Sequence, residues 1–295
     1  MTTTADLLAY YATFGPMTDP ASHADLLAGL PGDLPGLVQA VQGNLIHVYW
    51  AERYGRSLSD AEKAAAGVRR AADKLALVRA ALDRPLAELR SLELRQAGNC
   101  RDFSLLLTAM LQAQGVPARP RCGFGAYFMP DHYEDHWVCE YWNAEQGRWV
   151  LVDAQLDALQ QGVLQPGFDT LDVPRDQFVT GGLAWQMCRQ GLARPEQFGI
   201  FDMNGWWFIW GNVARDFLAL NQVVILPWDY DLGAFTHPLE DPFPDDPAEI
   251  AFYDRIAALT LAGDAGFGEQ RQAFESDPRW RVPAAWLAAP AAAPA

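Results

Sequence analysis

The sequence contains few cysteines: Cys100, Cys122, Cys139 and Cys188 are the four in 295 residues. No two of them form a CxxC pair, and this spacing argues against a zinc knuckle or a dithiol redox motif. Cys122 and Cys139 fall in predicted strands, where we expect packed thiols. Unpaired thiols are typical of a reducing compartment, so the sequence favours a cytoplasmic location.

Long hydrophobic runs are also missing. No stretch reaches the roughly 18 apolar residues that a membrane-spanning helix needs. The richest segment, 205–228, is interrupted by Arg215 and Asp216. The first residues, MTTTADLLAYYATFGPM, show no basic region followed by an apolar one, so we expect no signal peptide.

Positive charge is scarce. The chain has 22 Lys and Arg against 37 Asp and Glu, for a net charge of −15. Such an acidic chain argues against nucleic acid or an anionic membrane as a partner. The sequence also has no glycine-rich phosphate loop, no dinucleotide fingerprint and no internal repeat. Half of the residues are hydrophobic, which is ordinary for a globular protein with a large core.

The segment 97–157 carries the strongest pattern, and it begins with a predicted helix. Apolar residues recur there with helical spacing, at Phe103, Leu106, Leu107, Met110 and Leu111. Asn99 is a favourable N-cap, Asp102 suits the first turn, and Gly115 suits the end. Cys100 is therefore predicted at the first helical position. There the helix dipole and unpaired N–H groups favour a thiolate, so we expect a pKa below the usual value of about 8.5 and a nucleophilic role.

Two strands follow the helix and form a predicted β-hairpin. HWVCEYW begins at His136 and RWVLVD begins at Arg148, with a turn-type segment at 143–147 between them. With the turn centred between Ala144 and Glu145, His136 lies directly opposite Asp153. Opposed side chains share a face, within reach of an imidazole–carboxylate hydrogen bond. A slip by one residue would place them on opposite faces.

Taken singly, each of these side chains has a simpler interpretation. Cys100 fits a small buried hydrophobe, His136 a half-buried histidine and Asp153 a carboxylate at a strand end. Taken together, they fit a nucleophile, a base and an orienting acid. In this interpretation His136 accepts the thiol proton and Asp153 fixes the imidazole tautomer.

The same segment resembles a bacterial branch of the transglutaminase-like superfamily. The matching pieces are GNCRDFSLLLTAMLQAQGVPAR, DHWVCEYW and GRWVLVDAQLD. The resemblance implies an α+β fold with a papain-like core, in which an antiparallel sheet packs on the cysteine-bearing helix. It also implies attack on an amide carbonyl and transfer of the acyl group to an amine or to water. Members often have alanine after the histidine, where this chain has Trp137, so we expect different packing around the base.

Around this core, 97–160, the sequence predicts three further regions. Residues 1–96 are predicted as a mostly helical segment packed on the core, and 161–282 as a mixed extension that borders the cleft and contains an acidic, proline-rich loop at 238–247. Residues 283–295, nearly all Ala and Pro, are predicted to be a disordered tail. A long helix over 37–54 would carry His47, interpreted as a core or boundary histidine.

Other polar residues near the core have two interpretations. Gln96 is a candidate side-chain donor for the oxyanion, as in papain-like enzymes, or else a surface glutamine. His132 and His136 are four apart, but their sequence HYEDH matches no zinc motif. We therefore predict no metal and no cofactor. The acidic loop 129–135 is interpreted as a solvated loop or as a feature that favours a cationic substrate.

The predicted function is a cysteine-dependent acyl-transfer enzyme that acts on a peptide, a protein or a small amide. Hydrolysis is favoured over cross-linking because nothing in the sequence marks an amine-acceptor site. One alternative is a small-molecule acyltransferase of a biosynthetic pathway, with Trp206, Trp207 and Trp210 lining its pocket; the same tryptophans also fit a core. The other alternative is a non-catalytic binding domain, which a Cys100 buried away from any cleft would favour.

Overall fold

The computed structural model describes residues 3–230, 232 and 246–289. Its helices and strands, numbered in chain order, are α1 (Thr4–Ala12), α2 (Leu34–Gln42), β1 (Leu45–His47), α3 (Asp60–Lys63), α4 (Ala71–Ala81), β2 (Gln96–Gly98), α5 (Cys100–Ala113), β3 (Ala118–Gly125), β4 (Tyr133–Asn143), β5 (Arg148–Val152), α6 (Ala158–Leu164), β6 (Phe178–Thr180), α7 (Gly181–Arg189), β7 (Phe198–Ile200), β8 (Met203–Asn204), α8 (Trp206–Leu220), α9 (Pro247–Leu261), α10 (Phe267–Ser276) and α11 (Ala284–Ala288).

The larger sheet of the described residues has six strands. Five follow the order β6–β3–β4–β7–β8, and β5 also pairs with β4. All these pairs are antiparallel except β4 with β7, which is parallel. A separate parallel pair is formed by β1 and β2. The predicted α+β class is confirmed, and the predicted antiparallel sheet carries one parallel pair, which makes it mixed.

Strand β4 has a gap in the pairing of one edge. Strand β3 pairs with β4 from residue 134 to 141 on one side. On the other side β5 pairs with 139–143 and β7 with 133–134. The second edge of β4 is therefore left open between residues 135 and 138. The N-terminus of α5 reaches the sheet at this gap.

Helix α5 packs its apolar side on one face of the sheet. Phe103 and Leu107 lie in one buried cluster with Cys139, Val150 and Val152 of the hairpin. Burying a side chain of this size contributes roughly 1.5–3 kcal/mol, so this interface fixes the helix against the hairpin. A second large cluster joins α7, α8 and α9 to Phe124 of β3.

The N-terminal region differs from the predicted run of helices. Helix α2 ends at Gln42, and β1 follows, so the expectation of one helix over 37–54 is wrong. Strand β1 pairs with β2 just ahead of α5, with His47 beside Gly98. This pairing joins residues about 50 positions apart, a distance over which helical periodicity carries no information.

The C-terminal region begins its predicted disordered tail with a helix. Helix α11 occupies Ala284–Ala288, so disorder is the wrong expectation for these residues. The remainder of that tail, 290–295, and most of the acidic loop predicted at 238–247 lie outside the described residues. No helix of the described ranges is both long enough and apolar enough to cross a membrane.

Candidate active site

Cys100 occupies the predicted position at the start of a helix. The Asn99 side chain accepts from the backbone N–H of Asp102 at 3.2 Å, and the Asp102 carboxylate accepts from the N–H of Asn99 at 3.1 Å. Asp102 is also paired with buried Lys74 at 3.0 Å and with Arg101 at 3.1 Å. This reciprocal cap and its buried ion pairs hold the first turn of α5, and with it the sulfur, in one place.

His136 and Asp153 form the hydrogen bond that the sequence predicts. The Nε2 of His136 lies 2.8 Å from Oδ2 of Asp153. Tyr127 donates its hydroxyl to the same oxygen at 2.7 Å, and the backbone N–H of Gln155 donates to Oδ1 at 3.0 Å. The carboxylate accepts from Nε2, so Nε2 carries a proton and Nδ1 holds a lone pair that can accept one.

The strand register behind this contact differs from the prediction by two residues. Cys139 pairs with Val152 and Glu140 with Leu151, because the turn takes up residues 144–147. Continued by one position, this register places Asp153 opposite Val138, so His136 is its diagonal neighbour. The expectation that they lie directly opposite is therefore wrong. A shift by two keeps both side chains on one face, and diagonal neighbours are still within reach of long side chains.

Cys100 reaches the sheet at the open edge of β4, close to the backbone of Trp137. The backbone N–H groups of Trp137, the residue after His136, and of Arg101 are near enough to the sulfur of Cys100 to lower its pKa. Cys100 and His136 both line a cavity of about 440 Å³. Cys100 is buried, with 8% of the residue exposed. The gap between β5 and β7 thus lies where the first residue of α5, from one face of the sheet, and the His136 side chain, from the other, line one cavity.

The pKa of the thiol differs from the expectation. Burial raises the pKa of Cys100 well above its ordinary value, and the charges of Asp135 and Asp153 raise it further, against the N–H groups of Trp137 and Arg101. The expectation of a lowered pKa is therefore wrong for the resting protein. The helix terminus is present as predicted, but desolvation of a buried thiolate outweighs it. The raised pKa favours the neutral thiol at rest.

Asp153 has the opposite shift. Burial alone would raise the pKa of this carboxyl, but His136, Tyr127 and the N–H of Gln155 together hold it below its ordinary value. Asp153 is fully buried and stays ionised, as an orienting acid requires.

Two further carboxylates, Glu134 and Asp135, line the same cavity. Burial and the neighbouring charge of Asp135 raise the pKa of Glu134 to about 7. Asp135 is buried and accepts from Nδ2 of Asn212 at 2.8 Å. The end of the acidic loop is thus part of strand β4 and of the cavity wall, so the interpretation of a merely solvated loop is wrong for these two residues.

The aromatic wall of the cavity comes from other residues than those predicted. It is formed by Tyr49, Trp50, Phe128 and Phe201.

The three predicted pocket tryptophans do not line the cavity. Trp210 is buried with its ring 5.5 Å from that of Tyr253. Trp206 and Trp207 pack against the same core cluster. All three lie on α8, where Trp206 packs on Trp185 of α7 and Trp210 on Tyr253 of α9, contacts that the sequence of α8 alone does not reveal.

The predicted oxyanion donor also lies elsewhere. Gln96 donates its side-chain amide to the carbonyl of Leu94 at 3.4 Å, and it does not line the cavity with Cys100. His47 does line it, beside the two catalytic candidates. The run LIHVYW around His47 is rich in β-branched and aromatic residues, a strand signal that would have separated it from the preceding helix.

Comparison with known proteins gives one match. Residues 50–154 match the family model described as the transglutaminase-like superfamily. No curated protein and no solved structure matches the chain. The matched range covers about a third of the sequence and includes Cys100, His136 and Asp153, whereas His47 and Phe201 lie outside it.

Proposed function

We propose that this protein, which carries a domain of the transglutaminase-like superfamily, is a cysteine-dependent acyl-transfer enzyme that hydrolyses an amide or peptide bond. In this proposal Cys100 is the nucleophile, His136 the base and Asp153 the residue that orients it. The observation that carries the proposal is the 2.8 Å contact of His136 with Asp153 at a cavity that Cys100 also lines.

In the first half of the reaction the sulfur of Cys100 attacks the carbonyl carbon while Nδ1 of His136 takes the thiol proton. Because the resting thiol is neutral, this proton transfer accompanies the attack. Asp153 stabilises the imidazolium that forms. The tetrahedral intermediate collapses as Nδ1 returns the proton to the leaving nitrogen, which leaves a thioester on Cys100 and releases an amine.

In the second half an acceptor attacks the thioester. With water, His136 takes a proton from the water, the carbonyl carbon gains a hydroxyl, and the proton returns to the departing sulfur of Cys100. The products are a carboxylic acid and the free thiol. A primary amine would follow the same route to a new amide. We favour water because it needs no binding site of its own.

The mouth of the cavity supports a substrate with an apolar side chain. Tyr49, Met129, Val163 and Phe201 are large apolar residues that line the cavity yet stay well exposed. Exposed apolar residues clustered at one site are typical of a binding surface. Arg53 lies in the same lining as Glu134, whose pKa is raised to about 7, and Asp135, whose pKa burial also raises. The apolar mouth, rather than net charge, therefore indicates the substrate: a peptide segment with an apolar side chain.

The two alternatives have weaker support. A small-molecule acyltransferase with a pocket of Trp206, Trp207 and Trp210 loses that pocket, because these side chains pack against the core cluster. A non-catalytic binding domain would be favoured by a sulfur remote from any cleft, whereas Cys100 lines the cavity.

The test is hydrolysis of a library of short peptide amides, with and without a diamine as competing acceptor. We expect release of ammonia or amine by the wild type, with free acid as the main product, and none by Cys100→Ala. Cys188→Ala is the matched control, because Cys188 has the same 8% exposure and does not line the cavity. Equal activity in Cys100→Ala and the wild type would refute the proposal, and a predominantly amide product would replace hydrolysis by transfer.

A further inference from the structure

We propose that His47 is the side-chain donor of the oxyanion hole: its Nε2–H, together with the backbone N–H of Cys100, would bind the negative oxygen of the tetrahedral intermediate. This inference rests on the proposed function, because it assigns a role within the same reaction. It adds a catalytic residue from outside the range that matches the superfamily.

The position of His47 is fixed by the small parallel sheet ahead of α5. His47 pairs with Gly98, and the next residue, Val48, donates its N–H to the carbonyl of Gly98 at 2.9 Å. Gly98 precedes Cys100 by two residues. The end of β1 is thus attached to the segment that presents the nucleophile, and the ring of His47 lines the cavity with Cys100 and His136.

The tautomer of His47 is set by a backbone contact. The N–H of Tyr49 donates to Nδ1 of His47 at 3.3 Å. A backbone N–H can only donate, so Nδ1 holds a lone pair and Nε2 carries the proton. Within the described residues that amide is the one hydrogen-bond partner of the ring. His47 lines the cavity, and its Nε2 is not one of the described side-chain atoms that are both fully covered and without a partner.

The ring is held neutral by its surroundings. Burial, and the nearby His136, lower the pKa of His47 to about 3. A neutral imidazole with its proton on Nε2 is a hydrogen-bond donor that does not lose or gain a proton near neutral pH. It can therefore stabilise an oxyanion without exchanging roles with His136 as the base.

Other polar groups near the cavity fit this role less well. Gln155 lines the cavity, but its Nε2 donates to Oε1 of Gln160 at 3.0 Å. Its unpartnered atom is the acceptor Oε1, which an oxyanion would repel. The indole N–H of Trp137 has no partner but is sealed within the protein and does not face the cavity. Tyr49, Trp50 and Arg53 also line the cavity with donor groups, and they are the rivals that the experiment has to exclude through Tyr49→Phe, Trp50→Phe and Arg53→Gln.

The experiment compares two reactions of the same sulfur. p-Nitrophenyl acetate acylates Cys100 through a tetrahedral oxyanion: the C–S bond forms, the C–O bond breaks, nitrophenolate leaves, and the thiol proton passes to His136. Iodoacetamide alkylates the sulfur by direct displacement of iodide, with no oxyanion. Removal of an oxyanion-hole donor costs about 10²–10³ in rate. We expect His47→Ala to slow acetylation by this factor and to leave alkylation at the same pH unchanged.

His47→Gln retains an N–H donor and most of the side-chain volume, so we expect partial recovery of acetylation. If His47→Ala lowers the melting temperature, the acetylation rate of His47→Gln is the one from which the assignment is judged. The assignment would be overturned if His47→Ala slowed acetylation and alkylation equally, or if neither His47→Ala nor His47→Gln slowed acetylation. A larger loss in Tyr49→Phe, Trp50→Phe or Arg53→Gln than in His47→Ala would transfer the role to the residue replaced. Failure of the wild type to acetylate at Cys100 would instead refute the proposed function itself.

Discussion

Replacing Asp153 by Asn should reverse the tautomer of the base. The backbone N–H of Gln155 donates to Oδ1 of Asp153 at 3.0 Å, so the amide oxygen of an asparagine would take that place. Its NH₂ group would then face Nε2 of His136, which now lies 2.8 Å from a carboxylate oxygen. Two donors cannot share a hydrogen bond. His136 would therefore move its proton to Nδ1 and lose the lone pair that accepts the thiol proton.

The expected loss in kcat is large. The same replacement in a Ser-His-Asp triad lowers kcat by about 10⁴-fold, which corresponds to about 5.5 kcal/mol in activation free energy. Steady-state kinetics with p-nitrophenyl acetate or the best peptide amide would measure it, with thermal unfolding to confirm that Asp153→Asn is folded.

Tyr127→Phe is the matched control. It removes the hydroxyl that donates to the same carboxylate oxygen at 2.7 Å, but it leaves the carboxylate and the tautomer of His136 in place. We expect a loss of stability of about 1 kcal/mol and a loss of kcat below about tenfold, or 1.4 kcal/mol. If Asp153→Asn lowers kcat no more than Tyr127→Phe does, the orienting role of Asp153 is refuted.

Three further predictions concern the cavity. Phe201 has φ +56°, so Phe201→Gly relieves about 1–2 kcal/mol of left-handed strain. This relief offsets the lost contact with Tyr49, so the melting temperature should stay nearly unchanged. The kcat/KM for apolar peptides should fall by at least about tenfold, and an unchanged selectivity for apolar over polar peptides would contradict this. Burial raises the pKa of Glu134 from 4.5 to about 7. The contribution of this carboxyl to folding stability is therefore complete below about pH 4.5 and is lost as the pH rises through 7. Glu134→Gln should therefore match the wild type at pH 4 and be more stable at pH 8 by about 1 kcal/mol, after allowance for solvent screening, in thermal unfolding; a constant difference would refute it. Asp135→Asn removes a charge that raises the pKa of Cys100, so iodoacetamide should alkylate Cys100 faster at pH 8, and an unchanged rate would exclude that electrostatic effect.

The helix of Cys100 could be predicted because its signals are local. The cap Asn99, its partner Asp102 and the apolar spacing all lie within one segment, and each acts on the residues next to it. The contact of His136 with Asp153 was predictable for a different reason. A shift of two residues in register preserves the face of a strand, so the sequence predicts this contact even though it predicts a turn that is too short.

The turn itself contained the missing information. The Asn143 side chain accepts from the N–H groups of Glu145 and Gln146, both at 3.0 Å, and Gly147 takes the left-handed conformation. Together they make a four-residue loop. Asn at the start and Gly at the end of such a loop are common turn residues, but several loop lengths use them.

Burial and long-range pairing could not be predicted from the sequence. His47 reaches the cavity because β1 pairs with β2, about 50 residues later. The pKa of Cys100 depends on how completely strand β4 and its neighbours bury the sulfur. It also depends on the charges of two carboxylates that are distant in sequence, Asp135 and Asp153. Phe201 enters the cavity from a hairpin outside the core, where its ring lies 5.1 Å from that of Tyr49.

The most direct test of the central claim is mass spectrometry of the protein after brief exposure to p-nitrophenyl acetate. Chemistry at one sulfur predicts a single acetyl group, mapped by proteolysis to Cys100, in the wild type and in Cys188→Ala, and none in Cys100→Ala. It also predicts slow acetylation in His136→Ala. Acetylation of Cys188 at the same rate as Cys100, or no acetyl group on Cys100, would contradict a nucleophile activated by His136 and Asp153.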